Sequence, residues 1–294
     1  MLYEVKRNFV DEYTIFNYRY IGTVDSGCSE KTYSRRVNNG AYSFAASGTF
    51  VAMLFFLVSS GGALSFSVEF LLYAVGFAVS YSIAILFSLL AVSTGSLSLT
   101  ALVISCSLFL PTLFGLLFLH EPVSALLLVG IAMLLVALVL INLEKKGQPK
   151  QLTSKWLLYV ALAFLGNGMC SVVQKAQQTA SGGAYKNEFM IVALSIASVV
   201  LFVTAGMQER RSLLVHMKAG LPWYGLSGCA NGLVNLLIMV LSKEIAASVM
   251  FPIISAGGII MTFVIAMLVY REHLSRWQIA GVVLGATSVV FLSL

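Results

Sequence analysis

Charge is what this sequence has least of. Only 10% of its 294 residues are Asp, Glu, Lys or Arg, against about 25% in soluble domains. Between Arg36 and Lys145 there is no Lys or Arg, and as far as Leu143 the only acids are Glu69 and Glu121. That stretch excludes a soluble enzyme, a nucleic-acid binder and a disordered tail, each of which needs charge for hydration or for its partner. The net charge of +6 is therefore no sign of nucleic acid. Paired cysteines are lacking as well. Cys28, Cys106, Cys170 and Cys229 form no C-x-x-C pair and read as small buried hydrophobes, with no zinc or haem spacing. The opening MLYEVKRNFVDEY lacks the apolar core of a signal peptide.

What fills the space is apolar: 59% of the residues are hydrophobic. Nine spans run roughly over 41–60, 70–90, 97–119, 123–143, 156–173, 189–206, 222–241, 246–270 and 277–294. Most have the length a helix needs to cross about 30 Å of hydrocarbon at about 1.5 Å per residue. The runs are continuous, whereas barrel strands alternate in polarity. The expected fold is all-α, a polytopic transmembrane helix bundle in the cytoplasmic membrane. Its connectors are short, so neighbouring helices are antiparallel. The expected divisions are a polar N-terminal segment over 1–40, a first repeat of four helices over 41–143, a basic linker over 144–155 and a second repeat of five helices over 156–294.

The repeat emerges on sliding the sequence by 151 residues, which lays 72–143 on 223–294 without a gap. LHEPVS (119–124) then meets YREHLS (270–275), so Glu121 falls on Glu272, Ser124 on Ser275 and Gly130 on Gly281. The shared pattern is E-x-x-S-x5-G between the same two spans. Complete copies of five spans would be inverted with respect to each other. The first copy has four, and the place for its first helix is charged: 11 of the 30 charged residues lie in the first 36. Each central Lys, Arg or Asp costs about 2.5–3.5 kcal/mol in a membrane helix, so a non-native or truncated N-terminus is expected there, with a genuine nine-helix variant as the alternative.

The passages FLHEPVSALLLVGIAMLLVALVLINL and YREHLSRWQIAGVVLGATSVVFLSL resemble the EamA-like branch of the drug/metabolite transporter superfamily. The resemblance covers about residues 31–294 and departs from the family in lacking the first helix. It implies a secondary transporter or exporter of small metabolites or drugs, with a substrate cavity near the midplane.

Counted from Lys31, twelve cations fall on the face bearing residues 1–40, 144–155, 207–221 and 271–276, and three (Lys175, Lys186, Lys243) on the other. The positive-inside rule places the first face in the cytoplasm and the C-terminus outside. Trp156, Trp223, Trp277 and Tyr270 stand at span ends, as interfacial anchors do.

Few polar groups are available at mid-depth to bind a solute. The fifth span has Gly166-Asn167-Gly168, then Ser171 and Gln174. The seventh has Asn231 and Asn235, four apart and so on one helix face. The repeat-related positions of the second span hold Ser80 and Ala84, with Tyr81 beside them. Ser105 and Ser255 lie mid-span in the third and eighth. The expected substrate site is therefore Asn167, Asn231, Asn235, Ser171, Ser80, Tyr81, Ser105 and Ser255, a neutral hydrogen-bonding wall; the competing reading is interhelical bonding, or for serine a bond to its own helix. No carboxylate lies mid-span, and Lys175 reads as a snorkelling anchor. No catalytic or metal-ligand constellation is present, so neither an enzyme nor a cofactor is expected. Pro111 and Pro252 are expected to kink the third and eighth spans. Gly281-x-x-x-Gly285 suits close packing, within the bundle or in a homodimer through the last helix. The competing functional reading is a truncated, transport-defective or purely structural membrane protein; a membrane enzyme lacks the residues it would need.

Overall fold

A computed structural model describes residues 40–62, 64–65, 67–95, 100, 103–142, 153–209, 213–270 and 275–293. The character of the charged N-terminus and most of the basic linker lie outside the described residues. Within them the fold is an all-α bundle of nine α-helices: α1 (Ala41–Ser59), α2 (Leu71–Thr94), α3 (Phe109–Phe118), α4 (Ala125–Asn142), α5 (Ser154–Ala180), α6 (Lys186–Gln208), α7 (Leu213–Glu244), α8 (Ala247–Tyr270) and α9 (Arg276–Ser293). One helix stands for each apolar span. Five stretches (41–59, 68–94, 154–180, 186–208 and 220–244) are long and apolar enough to cross a membrane.

Up-and-down order is fixed by contacts at the two ends. At one end the start of α1 meets the end of α6, where Glu209 binds the Gly40 and Tyr42 amides. The start of α5 there meets the end of α2, with the Trp156 ring lying where a side chain at Gly95 would go. At the other end the α1–α2 connector meets the start of α6 through Ser65 and Glu188. Helix α1 packs on α6 and α7, α2 on α5 and α6, α3 on α8 and α5, and α4 on α9. The largest buried apolar cluster joins α1, α2 and α6 around Phe56, Phe77 and Phe189.

Glycine decides the closest crossings. A β-carbon at Gly166 would stand 2.7 Å from the Ala84 amide nitrogen and 2.8 Å from the Ser80 carbonyl oxygen of α2; one at Gly232 would stand 2.6 Å from the Phe55 ring of α1. The Gly166-Asn167-Gly168 triplet thus seats α5 against α2 with Gly166 and against the turn before α3 with Gly168, where the Ser107 oxygen would be 2.7 Å away.

Several element ends differ from expectation. Helix α5 runs to Ala180, beyond residue 173, because its polar last turns are buried rather than emerging. Helix α7 begins at Leu213 and carries Pro222 within it. The third span is broken, with a 3-10 turn over Cys106–Leu108 just ahead of Pro111, whereas α8 runs through Pro252. Gly281 and Gly285 are both buried, and Gly285 faces Ala137 of α4. Gly285 thus packs against α4 within the chain, the first of the two packing roles expected of this pair. Trp156 is not an interfacial anchor: it is 5% exposed, and its indole nitrogen donates to Thr100. Trp277 is 53% exposed.

Candidate functional site

The polar side chains of α5 keep a helical period. Asn167, Ser171, Gln174 and Gln178 follow at intervals of four, three and four, which places them along one face. Ser171, Gln174 and Gln178 are buried, as are Lys175 and Gln177. A helix that buries so many polar groups must satisfy them from its neighbours, since each orphan costs about 1–3 kcal/mol.

Gln174 does so in a chain that crosses the bundle. Its Nε2 donates to Asn235 Oδ1 on α7 at 2.8 Å. Asn235 Nδ2 donates to the Asn231 carbonyl oxygen at 2.9 Å and to the Asn231 side-chain oxygen. Asn231 Nδ2 donates to Tyr81 Oη on α2 at 3.0 Å, and that hydroxyl lies 3.4 Å from Thr49 Oγ1 on α1. Four helices are tied by side chains without formal charge. Tyr81 stands ten residues into α2 and Thr49 eight into α1, so this part of the chain is near the middle of its helices, whereas Gln174 lies six residues from the end of α5. The Tyr81 ring stacks on Phe77, at 5.6 Å between centroids, and Phe77 meets Phe189 edge-on at 5.7 Å.

A second polar contact lies farther along α5. Asn167 Nδ2 donates to Ser107 Oγ at 2.6 Å, in the 3-10 turn that interrupts the third span. Ser105 immediately precedes that turn. Of the expected site residues, the structure unites Asn231, Asn235 and Tyr81 directly. Asn167 makes this second contact with Ser107, Ser105 only precedes its turn, and Ser171 lies between the two contacts on α5. Ser80 bonds the Gly76 carbonyl of its own helix at 2.8 Å, the behaviour expected of serine in an apolar helix. Ser255 is buried in α8, away from the bonded chain.

No family model matches the chain, and no curated protein matches it. A solved structure described only as "Crystal structure of protein" shares the fold, with a TM-score of 0.70 and 10% identity over 98% of this chain and 94% of its own. At that identity the likeness is one of fold alone.

The E-x-x-S motif has a structural role at the bundle ends. Ser124 caps α4, its Oγ accepting from the Leu127 amide at 3.0 Å. Ser275 caps α9 in a reciprocal box, with Oγ accepting from the Gln278 amide and Gln278 Oε1 accepting from the Ser275 amide. Glu121 reaches across to the start of α8, where it accepts from the Ala247 and Ser248 amides at 2.7 and 2.8 Å. Glu272 lies outside the described residues. Lys175 is 5% exposed and does not snorkel. Its ammonium donates to the Ser242 and Ile245 carbonyl oxygens at 2.8 Å each, and lies 3.8 Å from Glu121. Among the described residues no group of three or more His, Cys, Asp and Glu could hold a metal.

Sequence reading missed Thr49 and left Gln174 outside the site. The signal for Gln174 was present, since Asn167, Ser171 and Gln174 keep one helical face. It was hidden by ending the span at residue 173, where polarity begins.

Proposed function

We propose that this protein is a secondary transporter or exporter of small, uncharged or zwitterionic solutes, working by alternating access across the cytoplasmic membrane, and related to the EamA-like drug/metabolite transporters. The observation that carries the reading is the chain Gln174–Asn235–Asn231–Tyr81–Thr49, with Gln174, Tyr81 and Thr49 buried, Asn231 and Asn235 half-buried, and members from helices of both halves. A transporter site needs donors and acceptors that bind a solute and can satisfy one another when it is absent. Linked amides and hydroxyls do both.

The packing supports an inverted-repeat organisation of an incomplete four-helix and a complete five-helix copy. Exchanging α1 with α6, α2 with α7, α3 with α8 and α4 with α9 carries the pairs α1–α6, α3–α8 and α4–α9 onto themselves. It carries α1–α7 onto α6–α2, which is also present. The mate of α5 would fall before residue 41, outside the described residues. Such pseudo-symmetric halves supply the two interchangeable states of many transporters.

The test is solute flux into proteoliposomes, guided by a thermal-shift screen of metabolites on purified protein. Asn231→Ala and Asn235→Ala are expected to abolish flux while leaving the protein monodisperse. Unchanged uptake kinetics in both variants would refute the assignment.

A further inference from the structure

Glu121 and Lys175 grip one short connector from two sides. The chain leaves α7 at Glu244 and enters α8 at Ala247. The terminal carbonyls of α7 carry partial negative charge and the first amides of α8 partial positive charge. Lys175 from α5 binds the former at Ser242 and Ile245, and Glu121 from the α3–α4 connector binds the latter at Ala247 and Ser248. Their side chains are 7% and 10% exposed and approach to 3.8 Å. The backbone is shaped for this contact. His120 takes the left-handed conformation (φ 52°), and a β-carbon at Gly115 would collide with the Glu121 carboxylate and stand 2.9 Å from the Ala247 β-carbon.

The contact joins the first half of the chain to the second at the end of the bundle bearing connector 119–124. At the opposite end Glu209 of the second half accepts from the Gly40, Tyr42 and Ser43 amides at the start of α1. Each end is thus held by a carboxylate of one half on a helix start of the other, and the polar chain runs inward from Gln174, beside the clamp, to Tyr81 and Thr49. Apolar packing loses its attraction when it parts, but water can replace each of these bonds, so such a contact can open without unfolding its helices.

We propose that the Glu121–Lys175 clamp is a latch that closes this end of the bundle over the polar chain, and that releasing it is the step that opens this end. The assignment rests on the transporter reading, but its test does not need a known solute. Cys170 lies on α5 one turn inward from Gln174, is buried, and belongs to the cluster that contains Tyr81. With Cys28, Cys106 and Cys229 replaced by Ser, it reports on access from that end. A membrane-impermeant maleimide is added separately to each side of sealed vesicles carrying the full chain. Lys175→Met and Glu121→Gln are expected to speed Cys170 modification about tenfold from the 119–124 side only, a shift of about 1.4 kcal/mol in the closed–open equilibrium. Glu209→Gln is not expected to do so from that side. Lys175→Met keeps both carboxylate bonds to α8 and decides the matter if Glu121→Gln is unstable. Unchanged labelling in a variant with native melting overturns the latch even if solute flux is found. Failure of both variants to fold overturns it too, because the contact would then be a fixed pin. Faster labelling without flux for any solute would uphold the latch and count against the transport reading.

Discussion

At the scale of single residues the polar chain is an exercise in satisfaction. Asn235 is the pivot, accepting from Gln174 and donating to Asn231. Gln174→Leu would keep the volume filled but orphan the Asn235 oxygen. Interhelical bonds in membrane proteins average about 0.6 kcal/mol, and an orphaned, half-buried acceptor adds to that, so a loss of about 1 kcal/mol is expected. Thermal unfolding in detergent checks it, and an unaltered melting temperature would show that Asn235 finds another donor. The sequence made Asn231, Asn235 and Tyr81 legible, because amides and a phenol stand out in apolar helices. It did not reveal which serines matter. A serine in a helix can bond its own backbone as well as a neighbour, and Ser80 does the first while Ser107 does the second. Lys175 was misleading for a related reason: a cation at the end of an apolar run looks solvated until its carbonyl partners are known.

At the scale of elements, helix existence was written in the continuous apolar runs, and all nine spans have their helix among the described residues. The ends were not. Polarity marks the exit of a helix from an apolar medium only if the polar groups face outward, and the last turns of α5 face inward. The third span shows the complementary effect, an apolar run broken by a 3-10 turn ahead of a proline. Glycines sort by what faces them. Gly166 lies against the backbone of α2, which cannot rotate aside, so Gly166→Leu is expected to part α5 from α2 and cost about 3 kcal/mol, the upper part of the usual overpacking range. Gly257 of α8 has nothing within 4 Å of its β-position, and Gly257→Ala should stabilise its helix by about 0.5–1 kcal/mol. Paired melting curves test the contrast; equal effects would mean that the α2–α5 crossing is looser than its geometry.

At the scale of the whole molecule, the proposed repeat is marked in the sequence by E-x-x-S, and the structure gives residues of that motif a role. Serine begins the last helix of each half, and in the first half glutamate holds the start of a helix in the second. The alternation of ends also groups the connectors into two sets, and on the proposed membrane reading the charge count of twelve against three would place the cationic set in the cytoplasm. A C-terminal reporter active only in the cytosol should therefore stay silent; strong activity would reverse the assignment.

The notch at Gly95 that takes the Trp156 ring has an optical consequence. The protein holds only three tryptophans, and they occupy three environments: sealed at 156, half-buried beside Phe44 and Tyr224 at 223, and open at 277. Their emission is therefore resolvable by colour and by quencher access. Residue 156 reports whether the ends of α2 and α5 stay together, and residue 277 reports what surrounds the bundle. Separation of one helix pair could be followed in unlabelled protein, against an internal reference in the same chain.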